Sequence, residues 1–217
     1  MILNLEDLKL ITTKTLDHYS NQAVEFWEGT RDHDVKQNID ALLRHIHGLS
    51  PLNILDLGCG PGRDLVTFRS LGHMPIGLEG SATFAAMARQ HSCCEVWEQD
   101  FLALNLPIGY FDGIFANASL FHVPSQELPR VLSELHAALK SNGVLFTSNP
   151  RGSNEERWNR GRYGTYHDIE TWRAFMKAAG FSELDHYYRP QGLEFEQQSW
   201  LASVWRKLDT LIIFKNE

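Results

Sequence analysis

The chain has 217 residues, 43% of them hydrophobic, and a formal charge of -7 from 20 basic and 27 acidic side chains. That length suits one domain with a single sizeable core, and the acidic balance opposes tight nonspecific binding to nucleic acid, which depends on Lys and Arg against phosphates. Cys59, Cys93 and Cys94 form no C-x-x-C pair, residues 1–16 lack the apolar core of a signal peptide, and no run approaches a membrane span, so a reduced, cytoplasmic chain with no membrane partner is expected.

Residues 1–50 read as an N-terminal helical cap, with helices between Asn21 and His47 broken near Gly29. Short apolar runs then alternate with helical patterns, which calls for an α/β fold with a parallel sheet covered by helices. The first strand is Asn53 to Leu57, followed by a helix from about Arg63 to Leu71. A second strand runs from Met74 to Leu78 and ends on Glu79; Ser81 caps the next helix, which reaches about Gln90. Cys94 to Trp97 is a third strand leading to Asp100, and Phe111 to Ala116 a fourth.

Pro124 to Leu139 reads as a helix with Leu128, Val131, Leu132, Leu135 and Leu139 on one stripe. Asn142-Gly143 turns the chain into a fifth strand, Val144 to Ser148. Residues 51–149 would form the core. Residues 150–167 are polar, rich in Gly, Arg and Asn, and without a period; they read as a lid loop. Asp168 caps a helix to Ala179, and the last strand signals lie in Phe181 to Tyr188 and Trp200 to Phe214.

Chemistry concentrates at the ends of the first strands. Asp56-Leu57-Gly58-Cys59-Gly60-Pro61-Gly62 is an apolar strand running into a glycine-rich turn, where a ligand can approach the backbone closely. Alone, such a turn is a weak signal, because nucleotide-binding folds share it. Glu79, just past the second strand, can accept hydrogen bonds from ribose hydroxyls. Asp100, just past the third, can accept one from an adenine amino group, with Phe101 packing on the base. All three acids fall where open α/β sheets bind ligands. A dinucleotide fingerprint would need its third glycine three positions after the second, whereas Gly58, Gly60 and Gly62 are two apart.

Together these residues resemble the class I S-adenosylmethionine-dependent methyltransferases, especially their small-molecule branch. Residues 54–62 are similar to that family's first motif, Glu79 to its ribose acid, Gln99-Asp100-Phe101 to its adenine-edge motif, and 111–118 to its fourth-strand motif. The resemblance implies a Rossmann-like, doubly wound sheet of seven mostly parallel strands. Helices cover both faces, and an antiparallel last strand falls within Trp200 to Phe214. It also implies an S-adenosyl-L-methionine site built from Tyr19, Asp56, Gly58, Cys59, Gly60, Arg63, Glu79, Gly80, Ser81, Asp100, Phe101 and Asn117, with Trp27 and Arg31 as lesser candidates. No metal is expected, since His45 and His47 have no third ligand at suitable spacing.

The expected reaction is direct displacement onto an O, N or S nucleophile of a small molecule. His122, Tyr163 and His167 are the candidate bases, and His122 can equally be a packing residue. Arginines 151, 157, 160, 162 and 173 form a group suited to an anionic acceptor such as a carboxylate, or to local ion pairs with acids such as Glu155 and Glu156. A modifier of RNA or protein and a non-catalytic cofactor-binding protein are the alternatives. Monomer and homodimer both remain open.

Overall fold

The computed structural model describes residues 2–209. Three helices precede the sheet: α1 (Leu5–Asn21), α2 (Ala23–Thr30) and α3 (Lys36–Leu43). Asn4 starts α1 with a capping box, its side chain accepting from Glu6 and Asp7 while Asp7 reaches back to the Asn4 N–H. The break expected near Gly29 falls at residues 31–35: Gly29 is the penultimate residue of α2, and the polar run Arg31 to Asp34 follows it.

The sheet comprises β1 (Asn53–Leu57), β2 (Met74–Glu79), β3 (Glu95–Glu98), β4 (Phe111–Asn117), β5 (Leu139–Pro150), β8 (Phe181–Arg189) and β9 (Trp200–Lys207); β6 (Glu155–Asn159) and β7 (Arg162–Tyr166) lie outside it. Its order is β3-β2-β1-β4-β5-β9-β8. β9 runs antiparallel to both β5 and β8, as the resemblance implied; residues 210–214 of the expected segment lie outside the described residues.

Side chains alternate across the central strands and so define two apolar layers. Leu55, Leu57, Ile114, Ala116 and Leu145 face α6 (Leu128–Ala138) and α7 (Ile169–Ala178). Ile54, Phe115, Val144 and Phe146 face α3 and Phe68 of α4 (Arg63–Ser70). A smaller cluster joins Leu65 of α4 to Ala85 and Ala88 of α5 (Ala82–Ser92). Burying helices on both sides leaves only the strand ends open to ligands.

Two element expectations are corrected. The helix expected from Pro124 begins at Leu128, because residues 124–127 form a separate turn with the Glu127 and Leu128 N–H groups both donating to the Pro124 carbonyl. The expected lid loop contains the hairpin β6–β7. Its two-residue turn, Arg160-Gly161, has φ of 50° and 85°, the left-handed pair that suits a tight hairpin. β6 carries Glu155, Glu156, Arg157 and Asn159 and is mostly exposed, so its alternation is invisible as a hydrophobic pattern. Among the described residues no helix is long and apolar enough to cross a membrane.

Candidate functional site

The glycine loop is fixed by backbone bonds to β2. Gly58 and Cys59 donate to the Leu78 carbonyl at 2.8 and 3.1 Å, and Gly60 donates to Glu79 Oε2 at 3.0 Å. Glu79 Oε1 accepts from the Ser81 N–H at 2.8 Å. The buried Glu79 carboxyl therefore ties the loop to the start of α5, and its burial pushes its pKa up. At Gly58, with φ 74°, a Cβ would sit 2.6 Å from Ser119 Cβ and 3.1 Å from the Phe101 ring, so only glycine fits.

Two cavities meet at this loop. The first, of about 100 Å³, lies over the ends of β1 to β3 and is bordered by Gly58, Gly60, Glu79, Gly80, Asp100 and Phe101, with Thr12, Leu16 and Tyr19 of α1 closing it. Asp100 Oδ1 accepts from the Leu102 N–H at 2.9 Å. The second, of about 590 Å³, opens between α2, the ends of β4 and β5, and the hairpin. Its walls include Phe26, Trp27, Phe121 and Trp200, with Arg162 and Arg189 among them. Tyr19, Phe26, Gly58, Gly60 and Ala118 border both cavities.

Tyr19 occupies the junction. Its hydroxyl lies 2.8 Å from His122 Nε2, and the Arg162 guanidinium donates to it at 3.3 Å. His122 Nδ1 lies 2.6 Å from the Tyr163 carbonyl. A carbonyl only accepts, so Nδ1 carries the proton and Nε2 accepts from Tyr19. Burial lowers the His122 pKa to about 4, which keeps the ring neutral. The hairpin reaches this point because Tyr163 N–H donates to Thr15 Oγ1 at 3.1 Å, and because Gly161 lies so close to His18 that a Cβ there would be 2.9 Å from its ring.

Beneath the second cavity runs a polar chain. Arg63 grips Asp64 with two hydrogen bonds of 2.7 and 2.9 Å and donates to the Thr30 carbonyl. Asn117 donates to Asp64 at 3.4 Å and accepts from Asn38 at 2.9 Å, and Tyr187 donates to Asn38.

Several expected roles change. Arg63 borders the second cavity, but Asp64 and Thr30 occupy its guanidinium, so it is a brace for α2 and α4 rather than a free anion receptor. Asp56 borders neither cavity; it is buried below the loop with Oδ2 unpartnered, and burial next to Asp64 raises its pKa well above the usual carboxylate range. Ser81 also borders neither, its hydroxyl capping α5 and meeting Ser20. Cys59 touches the second cavity, yet its N–H, C=O and thiol all bond within the loop or to β2.

Tyr163 and His167 border neither of the two cavities. The Tyr163 hydroxyl donates to Glu156 at 2.5 Å, away from both cavities, and His167 is buried behind Phe121 with Nε2 3.1 Å from Ser125 Oγ. Both sit on or beside β7 with side chains turned away from Tyr19, a direction set by a hairpin the sequence pattern hides. Arg31 pairs with Asp32 at the surface. Phe26, Asn38, Arg189 and Trp200 were not anticipated; the aromatic pair Phe26-Trp27 was the one local signal.

Residues 54–143 match the family model of a methyltransferase domain. The chain is 35% identical over 104 residues to the trans-aconitate 2-methyltransferase of Azoarcus sp. strain BH72, covering 47% of this chain and 40% of that protein. It is 31% identical over 119 residues to the malonyl-[acyl-carrier protein] O-methyltransferase of Erwinia pyrifoliae, covering 54% and 45%. These matches span less than half the length of those relatives. Among solved structures, the Burkholderia thailandensis 1,6-didemethyltoxoflavin-N1-methyltransferase, bound to 1,6-didemethyltoxoflavin and S-adenosylhomocysteine, superposes with a TM-score of 0.77 at 19% identity, over 96% of this chain and 94% of that one. Residues 54–143 thus match a methyltransferase domain, and the whole chain shares the fold of the superposed methyltransferase.

Proposed function

We propose that the protein transfers a methyl group from S-adenosylmethionine to a small-molecule acceptor by direct displacement. The observation that carries this reading is the shared wall: two cavities meet at Tyr19, Gly58, Gly60 and Ala118. A donor in the first and an acceptor in the second would face each other there. The donor is already activated, so alignment is the protein's main task.

The first cavity suits an adenosyl group. Glu79 has lone pairs beyond those facing Gly60 and Ser81 for ribose hydroxyls, Asp100 Oδ2 remains for the adenine amino group, and Phe101 supplies a packing face. Gly58 leaves the loop backbone open at the junction, where the methionyl part would lie. Trans-aconitate and 1,6-didemethyltoxoflavin in the names of two similar proteins are compact acceptors, while the malonyl group in a third is carried on a protein.

Titration calorimetry with S-adenosylhomocysteine tests the reading. The purified protein is expected to bind, and Asp100→Ala to bind about 10-fold more weakly, the scale of one hydrogen bond to a charged group. Absence of binding by the unaltered protein would overturn the proposal.

A further inference from the structure

Among the described residues, the junction lacks a free base. His122 holds its proton on Nδ1 against the Tyr163 carbonyl, and its Nε2 is engaged by Tyr19. Tyr19 directs its proton at His122, and burial raises its pKa further. Asp64 is held by Arg63 and Asn117, Glu79 ties the glycine loop, and Asp56 reaches neither cavity. His33 and Asp34 border the second cavity from exposed positions at its mouth.

The junction does hold an uncommitted cation. Arg162 borders the second cavity and donates to the neutral Tyr19 hydroxyl; no carboxylate among the described residues lies within 4.0 Å of it. Arg151, Arg157 and Arg173, by contrast, are held by carbonyls or carboxylates of their own neighbourhoods, whereas Arg162 meets, among the described residues, only the hydroxyl and, at 5.6 Å, the ring of Tyr19. A guanidinium in the second cavity, beside the junction, would repel an amine acceptor in its cationic form. It would attract a nucleophile that is already an anion.

We propose that the acceptor is a carboxylic acid with a flat apolar body, held as its carboxylate by Arg162 between the aromatic walls of the second cavity and converted to a methyl ester. This rests on the methyl-transfer reading above. One carboxylate oxygen bonds to the methyl carbon as the carbon–sulfur bond breaks, the electron pair stays on sulfur, and no proton moves. The sulfonium charge and the carboxylate charge cancel in the products. Phe26, Trp27, Phe121 and Trp200 supply the apolar faces, and Arg189 offers a second cation for a dicarboxylic acid.

The test uses S-adenosylmethionine labelled in its methyl group, supplied with two panels: unsaturated and aromatic mono- and dicarboxylic acids, and alcohols, phenols, thiols and amines of matching bodies. Methyl esters release volatile methanol in alkali, whereas ethers, thioethers and methylamines do not. The expected result is base-labile label from the acid panel, with kcat/KM falling about 10- to 100-fold in Arg162→Gln and recovering in part in Arg162→Lys. Both variants should keep their S-adenosylhomocysteine affinity, which also reports that they fold. Label confined to base-stable products, or no base-labile label from any acid, overturns the carboxylate assignment while intact S-adenosylhomocysteine binding leaves the methyl-transfer reading standing. Loss of that binding in the unaltered protein removes the reading itself.

Discussion

The two cavities are built by opposite strategies. The first is built at the ends of three adjacent parallel strands, its acids fixed by backbone N–H groups: Glu79 by Gly60 and Ser81, Asp100 by Leu102. The second gathers Trp27, Asn38, Asn117, Arg162 and Trp200, residues spread over most of the chain. The first uses backbone geometry that tolerates almost no side-chain change at its glycines. The second uses side chains held by other side chains, which can be exchanged without disturbing the sheet.

The largest expected effect attacks the backbone-built side. Gly58→Ala should weaken S-adenosylhomocysteine binding by at least about 100-fold, because a left-handed φ of 74° and a Cβ 2.6 Å from Ser119 together cost several kcal/mol. Gly109→Ala is the control: its φ is 61°, with nothing within 4 Å of the added Cβ. It should cost about 1 kcal/mol of stability and leave binding unchanged. Calorimetry and urea unfolding on both variants measure the contrast, and equal binding losses would remove the distinction drawn between strained loop and ordinary turn.

This division also sets how much was legible in the sequence. Asp56 to Gly62, Glu79 and Asp100-Phe101 announce themselves by their spacing after apolar runs, because parallel-strand ends are local features. The second cavity depends on where a hairpin lands. Arg160-Gly161 carries the turn chemistry, but β6 is so polar that no alternation marks it, and nothing local tells that Arg162 meets Tyr19 while the Tyr163 and His167 side chains turn away. Asp56 shows the converse limit: its position in the motif is legible, while its burial beneath the loop is a tertiary fact.

A second contrast lies in how the buried acids around the loop and the buried His122 respond to a falling pH. Burial raises the pKa values of Asp56 and Glu79, so these acids bind protons more readily in the folded state and their contribution to stability improves as pH falls. His122 has the opposite sign. Its folded pKa of about 4 lies below the unfolded value of 6.5, so its contribution is present above pH 6.5 and is lost as pH falls toward 4. The size is up to about 3 kcal/mol, lessened because part of the ring borders a cavity. Tyr19, Arg162, His18 and the Tyr163 carbonyl face the ring, and only the last favours its charged form. Urea unfolding between pH 7 and 4.5 should show a steeper loss for the unaltered protein than for His122→Gln. Parallel curves would mean that His122 titrates normally in the folded state.

The smallest effect probes the junction itself. Tyr19→Phe keeps the edge contact with Phe26 and the tilted contact with Phe84, at ring separations of 5.6 and 5.7 Å, and removes only the oxygen. The first cavity loses no group that holds an adenosyl moiety, so S-adenosylhomocysteine affinity should change by less than about 3-fold, under 1 kcal/mol. The second cavity loses the hydroxyl that positions Arg162, and His122 Nε2 loses its donor. Methyl transfer should therefore fall by about 10-fold in kcat/KM, the scale of one hydrogen bond to a charged group. A hydroxyl that only orients a cation affects the rate equally at every pH above the acceptor's own ionisation. A hydroxyl that accepts the acceptor's proton would instead shift the pH profile and cost far more than 10-fold. The pH–rate profile of Tyr19→Phe beside that of the unaltered protein separates the two: a uniform drop fits a guanidinium set in place by Tyr19, and a displaced profile would make the tyrosine the base that the junction otherwise lacks.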